Sequence, residues 1–497
     1  MKHMSGLFAI RPSNSELLKI SIEKQHSRGP DKSFTYSCND IGLGVNVLSL
    51  KKNKKHSTQP VCSKTEKTLC IFDGYIFNAQ KVISQFSLET DADDFGSVIV
   101  ELYEKKGKSF IDYIDGAFAI ILVDLERNDL VAARDMFGIK PLYFAQREGE
   151  ILFSSCLTAI PPKFHSVVET FPPGIVWINN KFEYSLKKNV LVDRDMEKLL
   201  LSAIEKNIPK EVRWGLSLSG GVDSSIIAAL AKKLGHNFCC YVFDAGLGRD
   251  ERAATHVANS LDLKLKVIRP SKADIINILP KVIRVLCSFR SEIILGSMLS
   301  YFLAHEASKD GLKVLLTGEG VDTIFGGLPK YRNLKPTSQQ LKQMMVDDQN
   351  NLWRATNRRI DHSSMLSSIE ARAPFQDQSV IASARKLPRA LIVDETSDLK
   401  DKILLRLIAK KYFHSDLAQR PKATISQGTG LDKILNEITE EIKHDYKIRM
   451  VDIEKFELKN RHPFEWICFS IWKKQYPEMA NDKESLVNRN LFPVAFA

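Results

Sequence analysis

The run Ser217-Leu218-Ser219-Gly220-Gly221-Val222-Asp223-Ser224-Ser225 constrains this chain most. An apolar stretch precedes it, and a helix-forming one, Ile226-Ile227-Ala228-Ala229-Leu230, follows it. A strand, a Gly–Gly turn and a helix in that order put backbone N–H groups at a helix N-terminus, where unpaired amides and the helix dipole attract anions. Ser219, Gly220, Gly221, Ser224 and Ser225 are therefore candidate pyrophosphate contacts, and Asp223 is a candidate Mg²⁺ ligand. The loop is not GxxxxGK[ST], which has no such aspartate and serves γ-phosphate chemistry.

A chain of 497 residues has room for two or three domains. The formal net charge of +11 fits an acidic ligand such as ATP as well as nucleic acid. The basic run Lys51 to Lys55 reads as a solvated loop, and no aromatic interleaving accompanies it, so nucleic acid is disfavoured as a partner. None of the eight cysteines forms CxxC, so neither a zinc site nor a disulfide framework is expected. A reducing cytoplasm is the expected location. The apolar run Leu7 to Ile10 is too short for a signal-peptide core, and no stretch is long enough to span a membrane.

Short strands dominate the first third: Ile41 to Leu50, Thr68 to Phe72, Ala117 to Asp124, Leu130 to Ala133 and Ile151 to Ser154, with one helix from Asp94 to Lys105. That texture predicts sheets packed on each other. A charged connector around Lys187 to Glu197 marks a boundary. Strands and helices then alternate, with strands at Trp214 to Leu218, Cys239 to Phe243, Lys264 to Val267 and Lys313 to Thr317. The alternation predicts a doubly wound parallel sheet with its ligand at the carboxyl ends of the strands. From about Gln339 the chain reads as mostly helical.

Further motifs accompany the loop. They include Arg28-Gly29-Pro30-Asp31, Asp115-Gly116-Ala117-Phe118-Ala119, Ala133 to Tyr143 (ARDMFGIKPLY), and Thr317-Gly318-Glu319-Gly320-Val321-Asp322 with Phe325-Gly326-Gly327. Met365 to Asp377, Lys402 with Leu404-Leu405-Arg406, and Arg420-Pro421-Lys422 complete the set. In this order they resemble the asparagine synthetase superfamily along nearly the whole chain. The resemblance implies an α/β protein of two domains. Residues 1–190 would form a class II glutamine amidotransferase-like domain, an αββα sandwich of the N-terminal-nucleophile type. Residues 191–497 would form an adenylating synthetase domain of the ATP-pyrophosphatase type, with a helical C-terminal part. It also implies ATP and Mg²⁺ as cofactors, a small-molecule carboxylate and amine as substrates, and a homodimer. By the same resemblance Asp223 and Asp322 hold the metal, and Val242 and Gly318 flank the nucleotide. Lys422 stabilises charge on the α-phosphate, and Glu370 orients or deprotonates the amine or serves as a structural ion pair.

The resemblance breaks in the glutaminase site. The family's nucleophilic cysteine is Ser5 here. The arginine that grips the glutamine carboxylate is Val47, and the Asn-Gly-Glu triplet is Asp73-Gly74-Tyr75. Losing a guanidinium and two polar groups leaves glutamine's charges unpaired. Such a degenerate site is similar to those of β-lactam synthetase and carbapenam synthetase. Thr323 after Asp322 points the same way, since asparagine synthetases carry a glutamate there. The run Glu370 to Phe375 follows the asparagine synthetase pattern instead. The expected activity is an ATP-dependent ligase that adenylates a carboxylate and forms an amide or lactam without glutamine, in antibiotic-like specialised metabolism. The alternatives are an asparagine synthetase and an RNA-modifying enzyme with the same loop.

Overall fold

Period-two apolar alternation builds the first third of the chain. The strands are β1 (His3–Arg11), β2 (Lys32–Cys38), β3 (Ile41–Ser49), β4 (Val61–Cys62), β5 (Thr68–Ile76), β6 (Gly116–Asp124) and β7 (Asp129–Arg134). They continue with β8 (Tyr143–Arg147), β9 (Glu150–Ser154), β10 (Glu169–Thr170), β11 (Ile175–Ile178) and β12 (Lys181–Ser185). Hydrogen bonds link them into one network, but among the described residues a single pair, His3 with Gly74, joins two antiparallel halves. One half runs β2-β3-β1-β9-β8-β10, the other β4-β5-β6-β7-β11-β12. Leu7, Val45, Ile71, Ile121 and Trp177 share the core between them. Their strand neighbours Cys70, Phe72, Ile120 and Leu122 face the other way, into a second core. Helices α2 (Ala79–Phe86) and α3 (Phe95–Lys106) close that core with Val82, Val98, Ile99 and Leu102. Each such side chain contributes about 1.5–3 kcal/mol by leaving water.

Helix α1 (Ser15–Lys24) covers the opposite sheet. Its Leu18 and Ile22 lie over Gly42 and Gly44 of β3, where an added Cβ would come within 2.9 Å of each side chain. The result is the expected αββα sandwich, with one correction. The sequence reading placed one helix here, at Asp94 to Lys105, and missed α1 and α2.

The computed structural model describes residues 3–50, 58–186, 192–246, 249–394, 400–421, 428–446, 450–456 and 458–481. Lys422, the Lys51–Lys55 run and part of the connector after Lys187 lie outside the described residues. The chain divides into two compact units. One is built mainly from the first 189 residues, with Arg284–Cys287 and a segment starting at Trp472; the other holds most of the remainder.

In the second unit strands and helices alternate: α4 (Met196–Asn207), β13 (Trp214–Ser217), α5 (Val222–Lys233), β14 (Cys239–Phe243), α6 (Arg249–Ser260) and β15 (Lys264–Ile268). Then come α7 (Lys272–Leu286), α8 (Ser291–Lys309), β16 (Val314–Leu316), α9 (Val321–Phe325) and β17 (Glu370–Arg372). Five of this unit's strands form one sheet in the order β15-β14-β13-β16-β17, with every pair in that sheet parallel. The winding reverses between β13 and β16, and ligands bind at such a switch point, at the carboxyl ends of the strands. Helix α5 begins at Val222, directly after the glycine pair, α8 begins at Ser291, and Glu370 opens a strand.

Candidate functional site

The loop after β13 is held by its own hydroxyls. Ser219 N–H donates to Ser224 Oγ at 3.2 Å, and Gly221 N–H donates to Ser219 Oγ at 3.3 Å. Gly220 has φ +68°, and a Cβ there would lie 2.4 Å from the Ala253 carbonyl carbon. Only glycine fits that turn under α6. Because α5 starts at Val222, Asp223 and Ser224 sit in its first turn, at the anion-attracting end. Ser224 is mostly buried and Ser225 fully so.

The loop after β16 meets that turn. A Cβ on Gly318 would lie 3.2 Å from Asp223 Cβ, so the absence of a side chain lets the two loops touch. Four residues on, Asp322 lies in the first turn of α9. Lys402 joins the two acids. Its ammonium lies 2.6 Å from Asp223 Oδ2 and 2.6 Å from Asp322 Oδ1. The lysine side chain is 2% exposed, whereas those of the acids are 22% and 31% exposed, so the ammonium belongs to the most buried of the three. Burial alone would push the Lys402 ammonium down. Asp223 and Asp322 overcome it and hold the group above the usual lysine range.

A second cation braces the loop. Arg420 donates to the Ser219 carbonyl at 3.1 Å and to Asp250 Oδ1 at 2.7 Å. Burial raises the Asp250 carboxyl, and Arg420 works against that rise. Arg406 in turn donates to the carbonyls of Ala418 and Arg420. Val242 is buried near the carboxyl end of β14. Glu370 is fully buried on β17, and its Oε2 accepts from Arg372 at 2.9 Å.

In the first unit three of the four positions picked from the sequence, Ser5, Val47 and Asp73, come together, while Tyr75 packs in the core closed by α2 and α3. Ser5 lies in β1, fully buried, and pairs with Val47 of β3. Its N–H donates to Asp73 Oδ1 at 3.0 Å, and its Oγ accepts from Gln59 Nε2 at 3.2 Å. Asp73 Oδ2 accepts from Arg28 at 2.9 Å, with both side chains out of water. Tyr75 lies two residues beyond, 5.3 Å beneath the Lys140 ammonium. Gly74 between them has φ +132°, and a Cβ there would meet the Ala117 carbonyl oxygen at 2.0 Å.

Residues 195–341 and 333–465 match the asparagine synthase family, which covers more than half of the chain. The chain belongs to the asparagine synthase family. Residues 1–200 match a glutamine amidotransferase domain. Among curated relatives, asparagine synthetase B (glutamine-hydrolysing) of Escherichia coli is 27% identical over 86% of this chain and 82% of its own. A protein of Methanocaldococcus jannaschii assigned as a glutamine-hydrolysing asparagine synthetase is 27% identical over 79% of this chain and 84% of its own. Among solved structures, an allosteric regulatory enzyme of purine biosynthesis matches at 12% identity and a TM-score of 0.31, over 54% of this chain and 82% of that one.

Membership makes the chain an ATP-dependent, AMP-forming carbon–nitrogen ligase that uses Mg²⁺ and acts on small molecules. The second unit fits that chemistry. Mg²⁺ is commonly held by one or two carboxylates plus substrate phosphates, and Asp223 and Asp322 bring two carboxylates to one place of the kind that would hold it. Among the described residues no cluster of three or more acidic, His or Cys ligands competes for the role. No helix among them is long and apolar enough to cross a membrane. Sequence reasoning gave no role to Lys402, Arg420, Arg28 or Gln59. A lysine beside the apolar run Ile403-Leu404-Leu405 was the available signal for the first, since such a charge is buried only with partners.

Proposed function

We propose that this ligase condenses a small carboxylic acid with an amine that does not come from glutamine, in specialised metabolism such as antibiotic or lactam formation. The substrate carboxylate attacks the α-phosphorus of ATP, and pyrophosphate leaves. The amine then attacks the acyl carbon and displaces AMP. In this reading Ser219, Gly220, Gly221, Ser224 and Ser225 bind the departing pyrophosphate at the N-terminus of α5, while Val242 and Gly318 flank the nucleotide. Asp223 and Asp322 hold Mg²⁺, which neutralises charge on the leaving group when bound. Lys422 stabilises charge at the α-phosphate, and Glu370 positions the amine, directly or through Arg372. A cytoplasmic homodimer that does not bind nucleic acid belongs to the same proposal.

One observation carries the exclusion of glutamine. A buried Arg28–Asp73 ion pair, with Asp73 also accepting the Ser5 N–H, stands at the nucleophile position. A carboxylate there opposes an oxyanion, and Val47 offers nothing to a substrate carboxylate. The relatives' names support a second reading, in which the chain converts aspartate to asparagine with ammonia or glutamine.

The test is a panel of carboxylates and amines supplied with ATP and Mg²⁺. The expected products are AMP and pyrophosphate without glutamine, and Asp223→Ala lowers the rate by about 10²-fold or more through loss of metal-borne charge neutralisation. Formation of ADP and phosphate contradicts the ligase chemistry. Turnover only with aspartate selects the second reading.

A further inference from the structure

We infer that Lys402 keeps free Mg²⁺ out of the Asp223–Asp322 pair and admits the metal only as its complex with a polyphosphate. The inference rests on the reading of both aspartates as metal ligands. The ammonium touches both carboxylates at 2.6 Å. The backbone is bent to deliver it. Lys402 caps its helix with φ +49°, a left-handed conformation that a side-chain-bearing residue adopts at a cost. Gly327 clears the space, since a Cβ there would lie 2.3 Å from Lys402 Cε and 2.2 Å from Asp322 Oδ1. Three segments remote in sequence thus converge to seat one positive charge between two negative ones.

The charge arithmetic gives the consequence. The Lys402 ammonium takes one unit from the negative charge that the two carboxylates present, which weakens their pull on a hydrated divalent ion. A metal arriving alone must also push an ammonium off its partners, and a buried ammonium without partners is costly. A metal that carries a polyphosphate brings anionic oxygens to receive the ammonium. Lys402 is therefore a positioning residue. It holds the carboxylates converged and makes entry of metal and nucleotide a joint event.

Binding of Mn²⁺ alone to the full chain, read from the electron paramagnetic resonance of the free ion, tests this. The wild type is expected to bind weakly, and Lys402→Met to bind at least about tenfold tighter because a competing charge is gone. Adding Asp322→Asn to Lys402→Met should erase the gain. Equal Mn²⁺ binding by wild type and Lys402→Met overturns the inference. Should Lys402→Met not fold, the wild type alone decides. A non-hydrolysable ATP analogue should tighten Mn²⁺ binding beyond the analogue's own affinity for the ion, and absence of that tightening overturns the inference. Pyrophosphate release is scored separately. Release with a carboxylate but no Lys402 effect on Mn²⁺ sinks this inference alone, and absence of release with every carboxylate sinks the functional reading.

Discussion

At position 73 an aspartate meets a guanidinium in a place closed to water. Breaking a buried ion pair by deleting one partner costs more than the pair is worth, because the other charge stays behind. Asp73→Ala should therefore lower stability in urea unfolding by about 3 kcal/mol. An unchanged unfolding midpoint would mean that Arg28 is satisfied without it. The residue scale also shows what sequence can and cannot disclose. Asp223 and Asp322 stand out in the sequence because each sits in a local motif, and the structure brings both to one lysine. Lys402 does not, because its partner Asp223 is 179 residues away and no local pattern announces the contact. Arg28 lay in a recognised motif, but its role depends on β5 passing beside β1.

Helix α4 illustrates the element scale. Its first-turn Glu197 accepts from Lys233 at 3.0 Å, from Lys411 at 2.6 Å, and from the Tyr412 hydroxyl. The hydrogen bond from Lys411 leads these contacts in pulling its carboxyl from an ordinary 4.5 down to about 2. A depressed acid stabilises the fold above its unfolded value and loses that contribution as pH falls through the folded one. Glu197→Gln should thus lower the melting temperature at pH 7. The gap to wild type should shrink below pH 4.5 and close near pH 2. A gap independent of pH would show that the ion pairs are not its cause. Element boundaries were legible where caps are local, as with Asp94 ahead of α3 and Asp195 ahead of α4. They were missed where packing overrides propensity. From the sequence a helix reads from Ser297, yet α8 already contains Gly296, over which Arg359 lies, 2.7 Å from where a Cβ would stand. Glu370 reads as the end of a helix, yet parallel pairing with β16 makes Glu370-Ala371-Arg372 a strand.

Over the whole molecule, two layouts were readable from texture alone. Crowded short strands gave a sandwich, and strand–helix alternation gave a wound sheet whose switch point carries both loops. The net charge of +11 accords with a polyphosphate ligand and does not by itself call for nucleic acid. The proposed function puts the chemistry in the second unit and leaves the first a scaffold, with Ser5, Val47, Asp73 and Tyr75 standing where, on that proposal, glutamine would need other groups. The most direct measurement is glutamate release from glutamine, by the wild type and by Ser5→Cys made with the preceding residues removed so that its amine is free. Both should release no glutamate above background, because the pocket and not only the nucleophile is changed. Glutamate formation by the truncated Ser5→Cys protein at the rate of a working amidotransferase would contradict the account and make the chain a glutamine-using synthetase.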